Sequence, residues 1–179
     1  MGITWHHGLQ HSISLEGIQG SIMNSFRTEQ ELTEVILRSN KFYESLGYSN
    51  WVRWEEREFV GLFGIPDVVI GFGTNRINGS QPIVRIFAFE MKLRDWKRAL
   101  VQAYKYAAFA HFPFVVMDHR YVGQAKSNIS LFRRSNIGLI SVEPNGDTVI
   151  HVHPRYRKPY SKSLNRALTE RIVQDLFDR

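Results

Sequence analysis

The chain contains no cysteine. That absence excludes a disulfide framework, thiol nucleophiles and thiolate metal centres, and it suits a reducing compartment. No apolar run approaches the roughly 20 residues needed to span a bilayer, and the opening "MGITWHHGLQHSISLEG" lacks a basic segment leading into an apolar one. The expectation is a cytoplasmic protein with no membrane partner. Acidic residues are also scarce relative to basic ones, 17 against 23, leaving a net charge of +6. Three histidines near the start, His6, His7 and His11, lack the defined spacing and further ligands of a zinc site. His151 and His153 alternate along a strand pattern and read as exposed strand residues.

What is present suits one folded unit. At 179 residues with 43% hydrophobic content, the chain can bury a sizeable core in a single domain, 1–179, with no repeat, linker or low-complexity tract. The excess positive charge is clustered in "KLRDWKR", in "FRR" at 132–134 and in "RYRKPYSK" at 155–162. Basic clusters interleaved with tyrosine suit a polyanion whose bases stack on aromatic rings, which makes nucleic acid the leading partner. From these clusters Arg133, Arg134, Arg155, Arg157 and Lys158 are candidate phosphate contacts, against the plainer reading of a solvated basic face.

Residues 1–25 read as an irregular lead-in. Thr28 with Glu31 three residues on forms a capping box, and Leu32, Val35 and Ile36 recur at helical spacing, so a helix is expected over 28–46, stopped by Gly47. "NWVRWEEREFVGLFG", "IPDVVIGFG" and "IVRIFAFEMKL" read as three strands. The last two are joined by the hairpin signal "TNRINGSQP" and are therefore expected to be antiparallel neighbours. From Asp95 to Ala110 a stripe of mostly small residues predicts a helix lying close on a sheet. "FPFVVMD" is a fourth strand, "VGQAKSNISLFRRS" a helical stretch, "NIGLISVEPNGDTVIHVH" a hairpin turning at Pro144 to Gly146, and "LNRALTERIVQDLF" a closing helix. The fold class is α/β, a mixed sheet with helices packed on it.

"IVRIFAFEMKL" places two charges where burial is costly. Period 2 puts Ile86, Ala88, Glu90 and Lys92 on one face, and Asp67 belongs to the strand expected to pair alongside, about 4.8 Å away. Two carboxylates and an ammonium thus converge at one sheet end. Such an oxygen-rich pair suits Mg²⁺, which keeps several of its waters, with Mn²⁺ as a substitute. A cation there would acidify water, and a lysine beside it would orient that water, help deprotonate it or stabilise phosphoryl charge. Gln102 and Tyr106, four apart, share one face of the next helix and could orient the site or touch a phosphate. The bland alternatives are a turn residue for Asp67 and a strand-end salt bridge on an exposed edge for Glu90 and Lys92.

Pro66-Asp67 followed by Glu90-Met91-Lys92 resembles the motif of the PD-(D/E)XK nuclease superfamily, and "QAYKY", with Gln102 and Tyr106, resembles the Q-x-x-x-Y element of its RecB-like branches. The resemblance covers residues 28–118; the remainder, 119–179, is compatible with it but not diagnostic. It implies a restriction-endonuclease-like fold, a mixed central β-sheet flanked by α-helices, and a Mg²⁺-dependent deoxyribonuclease. Asp67 and Glu90 would be metal ligands, with Lys92 and Gln102 in the catalytic set and Tyr106 among the nucleic-acid contacts. Glu29 in "TEQEL" matches the acid that many members supply from the first helix, although the helix dipole alone favours an acid there. Restriction, repair or junction substrates, and endo- or exonuclease action, all stay open. So does a homodimer that cuts two strands. The alternative on the same fold is a catalytically inactive nucleic-acid-binding module or assembly subunit.

Overall fold

The computed structural model describes residues 25–60, 63–74 and 82–177. The lead-in 1–24 with its three histidines, and residues 75–81 of the expected hairpin loop, lie outside the described residues. In chain order the elements are α1 (Glu29–Arg38), α2 (Asn40–Ser45), β1 (Val52–Arg57), β2 (Val68–Gly73), β3 (Val84–Lys92), α3 (Trp96–Tyr106), β4 (Phe112–Asp118), α4 (Gly123–Ser127), α5 (Ile129–Ser135), β5 (Gly138–Val142), β6 (Thr148–Val152) and α6 (Lys162–Phe177). No described helix is long and apolar enough to cross a membrane.

The six strands form one sheet in sequence order, β1 to β6. β1, β2 and β3 run as an antiparallel meander, as the hairpin signal between β2 and β3 predicted. β3, β4 and β5 are parallel, because α3 and then α4 with α5 provide the crossovers that parallel pairing requires. β6 returns antiparallel on the edge. The result is a mixed α/β sheet with helices on both faces.

Covering both faces explains why β2, β4 and β5 read as unbroken apolar runs: every residue in them is buried. One core lies under α3, α5 and α6, where Ile86, Ala88, Val115, Met117 and Leu139 meet Ala99, Ala103, Phe132 and Ile172. The other lies under α1 and α2 and is dominated by aromatic rings, with Phe87 stacked on Phe112 at 4.6 Å and Phe89 on Phe114 at 5.4 Å. Gly138 is demanded by this layer, since a Cβ there would fall 2.0 Å from Cδ1 of Phe114. Burying both faces leaves the strand ends as the places where polar chemistry meets solvent.

One expectation needs correcting. The single helix over 28–46 is two, α1 and α2, broken at Ser39, whose backbone is extended at φ −87° and ψ 106°. Its hydroxyl accepts from Phe42 N at 3.3 Å to cap α2, and donates to Gly146 O at 3.2 Å. A serine that caps locally and is held by a distant turn competes successfully with helix continuation. The "VGQAKSNISLFRRS" stretch is likewise two short helices, α4 and α5, meeting at Asn128.

Candidate active site

The site is built at the C-terminal end of β3. Asp67 directly precedes β2 and prolongs its ladder by one residue, donating its N–H to Phe89 O at 3.1 Å and accepting from Glu58 N at 3.0 Å. Since Val68 pairs with Phe89, Asp67 stands opposite Glu90. Its Oδ2 accepts from Met91 N at 2.6 Å, a bond that fixes the carboxylate against the neighbouring strand. The Asp67 side chain is thus attached to the main chain of Met91, the residue between Glu90 and Lys92 on β3.

Glu90 is 1% exposed and lies on the α3 side of a central strand. The reading of Glu90 and Lys92 as an ion pair on an exposed edge therefore fails. Both Glu90 oxygens are held: Oε1 is 3.0 Å from Lys92 Nζ, and Oε2 accepts a short hydrogen bond from the Tyr106 hydroxyl. The same hydroxyl lies 3.0 Å from Ile65 O, so one phenol ties the strand-end acid to the segment leading into Asp67. Lys92 Nζ also meets Glu29 Oε2 at 2.8 Å and Met91 O at 3.0 Å. Its ammonium is the centre of the cluster, surrounded by three oxygens.

Glu29 arrives from the first turn of α1. Thr28 caps that helix by accepting from Glu31 N at 3.1 Å, while Glu31 Oε2 accepts from Arg27 N at 2.7 Å, one residue earlier than in the expected capping box. Gln102 lies one turn before Tyr106 on α3, with its Oε1 buried and without a hydrogen-bond partner among protein atoms. An orphaned buried acceptor costs on the order of 1–3 kcal/mol unless something outside the chain satisfies it.

Charge is distributed unevenly over these groups. Burial pushes the Asp67 carboxyl up to about 6; the neighbouring charges of Glu90 and Glu29 push the same way, and the Met91 N–H and Lys92 only partly oppose them. For Lys92, burial works against the ammonium, but hydrogen bonds and charges from Glu29 and Glu90 outweigh it and raise its pKa above the ordinary value. At neutral pH Lys92 is charged and has no lone pair to take a proton, so of its expected roles the structure favours charge stabilisation over general-base work. Tyr106 is raised by burial and by Glu90, and stays a neutral donor.

Asp67, Glu90, Lys92, Glu29 and Tyr106 are thus brought to one place, and Gln102 lies one helical turn before Tyr106. Tyr106 is 1% exposed, so it has no surface to offer a phosphate, and its expected nucleic-acid contact is corrected to a role in holding Glu90. Arg133, Arg134, Arg155, Arg157 and Lys158 are not brought to this cluster. They lie on α5 and on the segment after β6, which leads away across two further strands to the start of β3, where Tyr156 stacks on His111 and lies under Arg85.

Other basic residues border the cluster instead. A cleft of about 560 Å³ is lined by Arg27, Glu29, Arg94, Arg120 and Tyr121 among others. Arg94 donates to the Tyr121 hydroxyl at 2.7 Å and lies 4.4 Å from the ring centroid, with Arg120 at 5.0 Å. Arg120 is forked on Asp118, Nη2 to Oδ2 at 2.8 Å, and Asp118 is fully buried at the end of β4. Burial opposes the Asp118 charge, yet the Arg120 hydrogen bonds hold its carboxyl below the usual range. Arg94 falls within the basic "KLRDWKR" cluster. Asp118 carries the signature that singled out Glu90, an acid closing a wholly apolar strand.

The donor set suits a hard divalent cation. Asp67 and Glu90 offer oxygen only, and Asp67 bears a charge that its surroundings do not neutralise. Among the described residues no group of three or more His, Asp or Glu side chains is arranged to hold a metal, so a cation here would complete its shell with water.

Comparison with known proteins identified no matching family model, no matching curated protein and no matching solved structure.

Proposed function

We propose that the chain is a metal-dependent deoxyribonuclease with a PD-(D/E)XK-type site, using Mg²⁺ or, in its place, Mn²⁺. The observation that carries this reading is the half-buried Lys92 ammonium held between Glu90 and Glu29 at a strand end that Asp67 shares from the adjacent strand. A purely structural ion pair gains little from a third carboxylate left poorly neutralised beside it.

Asp67 and Glu90 would hold the cation, which when bound lowers the pKa of water and offsets charge on the phosphate. The chain's own contributions follow from the geometry. Arg27, Arg94 and Arg120 draw the DNA backbone into the cleft that opens at Glu29. Arg120 is pre-positioned by Asp118, and Arg94 by Tyr121, so neither pays much ordering entropy on binding. Lys92 presents a fixed positive charge where negative charge builds on the phosphoryl oxygens. Glu29 and Glu90 hold that ammonium in place, and Tyr106 anchors Glu90 from behind. Gln102 Oε1, buried and without a protein partner, would accept from a water and orient it.

The reading is tested by incubating the protein with supercoiled, linear, branched and single-stranded DNA in the presence of Mg²⁺ or Mn²⁺. Cleavage of at least one substrate, abolished by chelation and by Asp67→Ala or Lys92→Ala, supports it. Salt-sensitive DNA binding without cleavage, indifferent to metal, would instead identify a binding module on the same fold.

A further inference from the structure

Beyond β6 the chain turns under the sheet, at the end remote from the catalytic cluster. Tyr156 stacks on His111 with ring centroids 5.4 Å apart and lies under Arg85, whose guanidinium carbon is 4.6 Å from the ring. His111 Nδ1 accepts from Ile86 N at 3.0 Å, near the start of β3. From Ile86 to Lys92 is six residues of strand, about 20 Å at ~3.3 Å per residue. Tyr160 N then donates to Ala107 O at 3.1 Å and joins the segment to the end of α3.

This segment and α5 enclose a groove of about 660 Å³ whose lining includes Arg133, His151, His153, Arg155 and Arg157 and no carboxylate. Its backbone is fixed by Asn136, which adopts the left-handed conformation at φ 57°. Asn136 Nδ2 donates to Arg155 O at 2.8 Å, and Arg155 N donates to Asn136 Oδ1 at 2.7 Å. None of Arg133, Arg155 and Arg157 pairs with a carboxylate among the described residues. Arg157 is seated 4.5 Å over the Tyr160 ring, and its Nη2 is buried with no hydrogen-bond partner. Three guanidiniums gathered in one concavity, with like charges unrelieved and a donor unmet, lack only an anion.

We infer that this groove binds backbone phosphates of a nucleic-acid segment separate from the one at the catalytic edge. The planar fork of arginine fits phosphate, and even the Tyr156 end of the groove, at the start of β3, is within about 20 Å of strand from Lys92, a span of a few nucleotides at ~3.4 Å each, so one DNA molecule can supply both contacts. The identity of the anion as nucleic acid rests on the nuclease reading; the anion requirement of the groove does not. The groove adds affinity and register without touching the scissile phosphate.

The experiment uses a labelled 24-base-pair duplex, with anisotropy titrations of the full chain without metal over a salt series, alongside Mg²⁺-dependent cleavage by the same preparations. Arg133→Ala/Arg155→Ala alters two exposed residues. It is expected to weaken binding at least tenfold, to reduce the slope of log K against log salt by about 2, and to raise KM with kcat unchanged. Arg157→Ala should weaken binding and Arg157→Lys, which keeps the charge but not the fork, should restore only part of it, while Arg38→Ala, on α1, should change neither affinity nor slope. Affinity and slope unchanged in the groove variants, with cleavage intact, overturns the groove while sparing the nuclease reading. Groove-dependent binding without cleavage upholds the groove and sinks the nuclease reading. A parent chain that binds no DNA at low salt overturns the groove assignment outright.

Discussion

Glu29 and Lys92 come from opposite faces of the sheet, yet Glu29 Oε2 and Lys92 Nζ are 2.8 Å apart. α1 packs its Leu32 and Ile36 into the aromatic core with Phe89 and Met91, whereas Lys92 follows Glu90 on the α3 side. Their ion pair wraps round the end of β3, and it can do so only because Thr28 caps α1 where Glu29 falls in its first turn. The lysine is thereby held from two directions. Glu29→Gln keeps the shape but removes the charge, and is expected to lower kcat by about 10–100-fold, the range found when an outer partner of a reactive group is lost. Thermal unfolding of this variant should stay close to that of the parent, because the Glu29 side chain is 44% exposed.

Asp67 makes the metal-free fold sensitive to pH in an unusual direction. Its folded pKa of about 6 lies above the ordinary 3.8 of an aspartate, so between those values the folded state binds more protons than the unfolded one. The associated stability is fully present below about pH 4 and is lost as pH rises through about 6. Two units correspond to on the order of 3 kcal/mol as an upper bound. Urea unfolding in chelator from pH 4.5 to 7.5 should show this decline, and Asp67→Asn should remove it, leaving a more stable but inactive protein. Added Mg²⁺ should restore stability to the parent at pH 7.5 and not to Asp67→Asn.

Tyr106 has one task that phenylalanine cannot perform. Tyr106→Phe preserves the ring against Phe109 but strips Glu90 of a buried hydrogen bond, costing about 1–3 kcal/mol of stability and, with Glu90 released, a larger share of kcat than of KM. Chemical denaturation and steady-state kinetics on the same preparation separate the two effects. An unchanged kcat would show that Glu90 is held without its phenol.

Arg94 and Arg120 border the same cleft but differ in what they leave behind. Arg94→Ala frees only a tyrosine hydroxyl, and should raise KM and reduce the salt slope of binding by about 1 without altering unfolding. Arg120→Ala takes the guanidinium from the fully buried Asp118 and should lower stability measurably, where Arg94→Ala does not. Arg120→Ala combined with Asp118→Asn should recover much of that stability while leaving KM high.

Much of this arrangement was legible in the sequence because it depends on short-range rules. Period 2 along β3 placed Glu90 and Lys92 on one face, the hairpin signal brought Asp67 alongside, and i to i+4 spacing joined Gln102 to Tyr106. The break at Ser39 was hidden because the bond to Gly146 spans more than a hundred residues of sequence. The arginines after β6 read as phosphate contacts from composition, which is silent on position; the segment that carries them runs to the start of β3. Tyr106 read as a nucleic-acid contact because nothing local reveals that α3 presses its hydroxyl onto a buried acid.

The central claim is that Asp67, Glu90 and Lys92 form one metal-dependent phosphodiester-cleaving site. Its most direct test is strand scission of supercoiled plasmid by the purified chain with Mg²⁺, side by side with Glu90→Gln and Lys92→Met proteins shown to be folded. The account predicts nicked or linear DNA from the parent only, lost on chelation and restored by Mg²⁺ or Mn²⁺. Scission by both variants at the parent's rate, or no scission of any DNA by a folded parent with either metal, would contradict it.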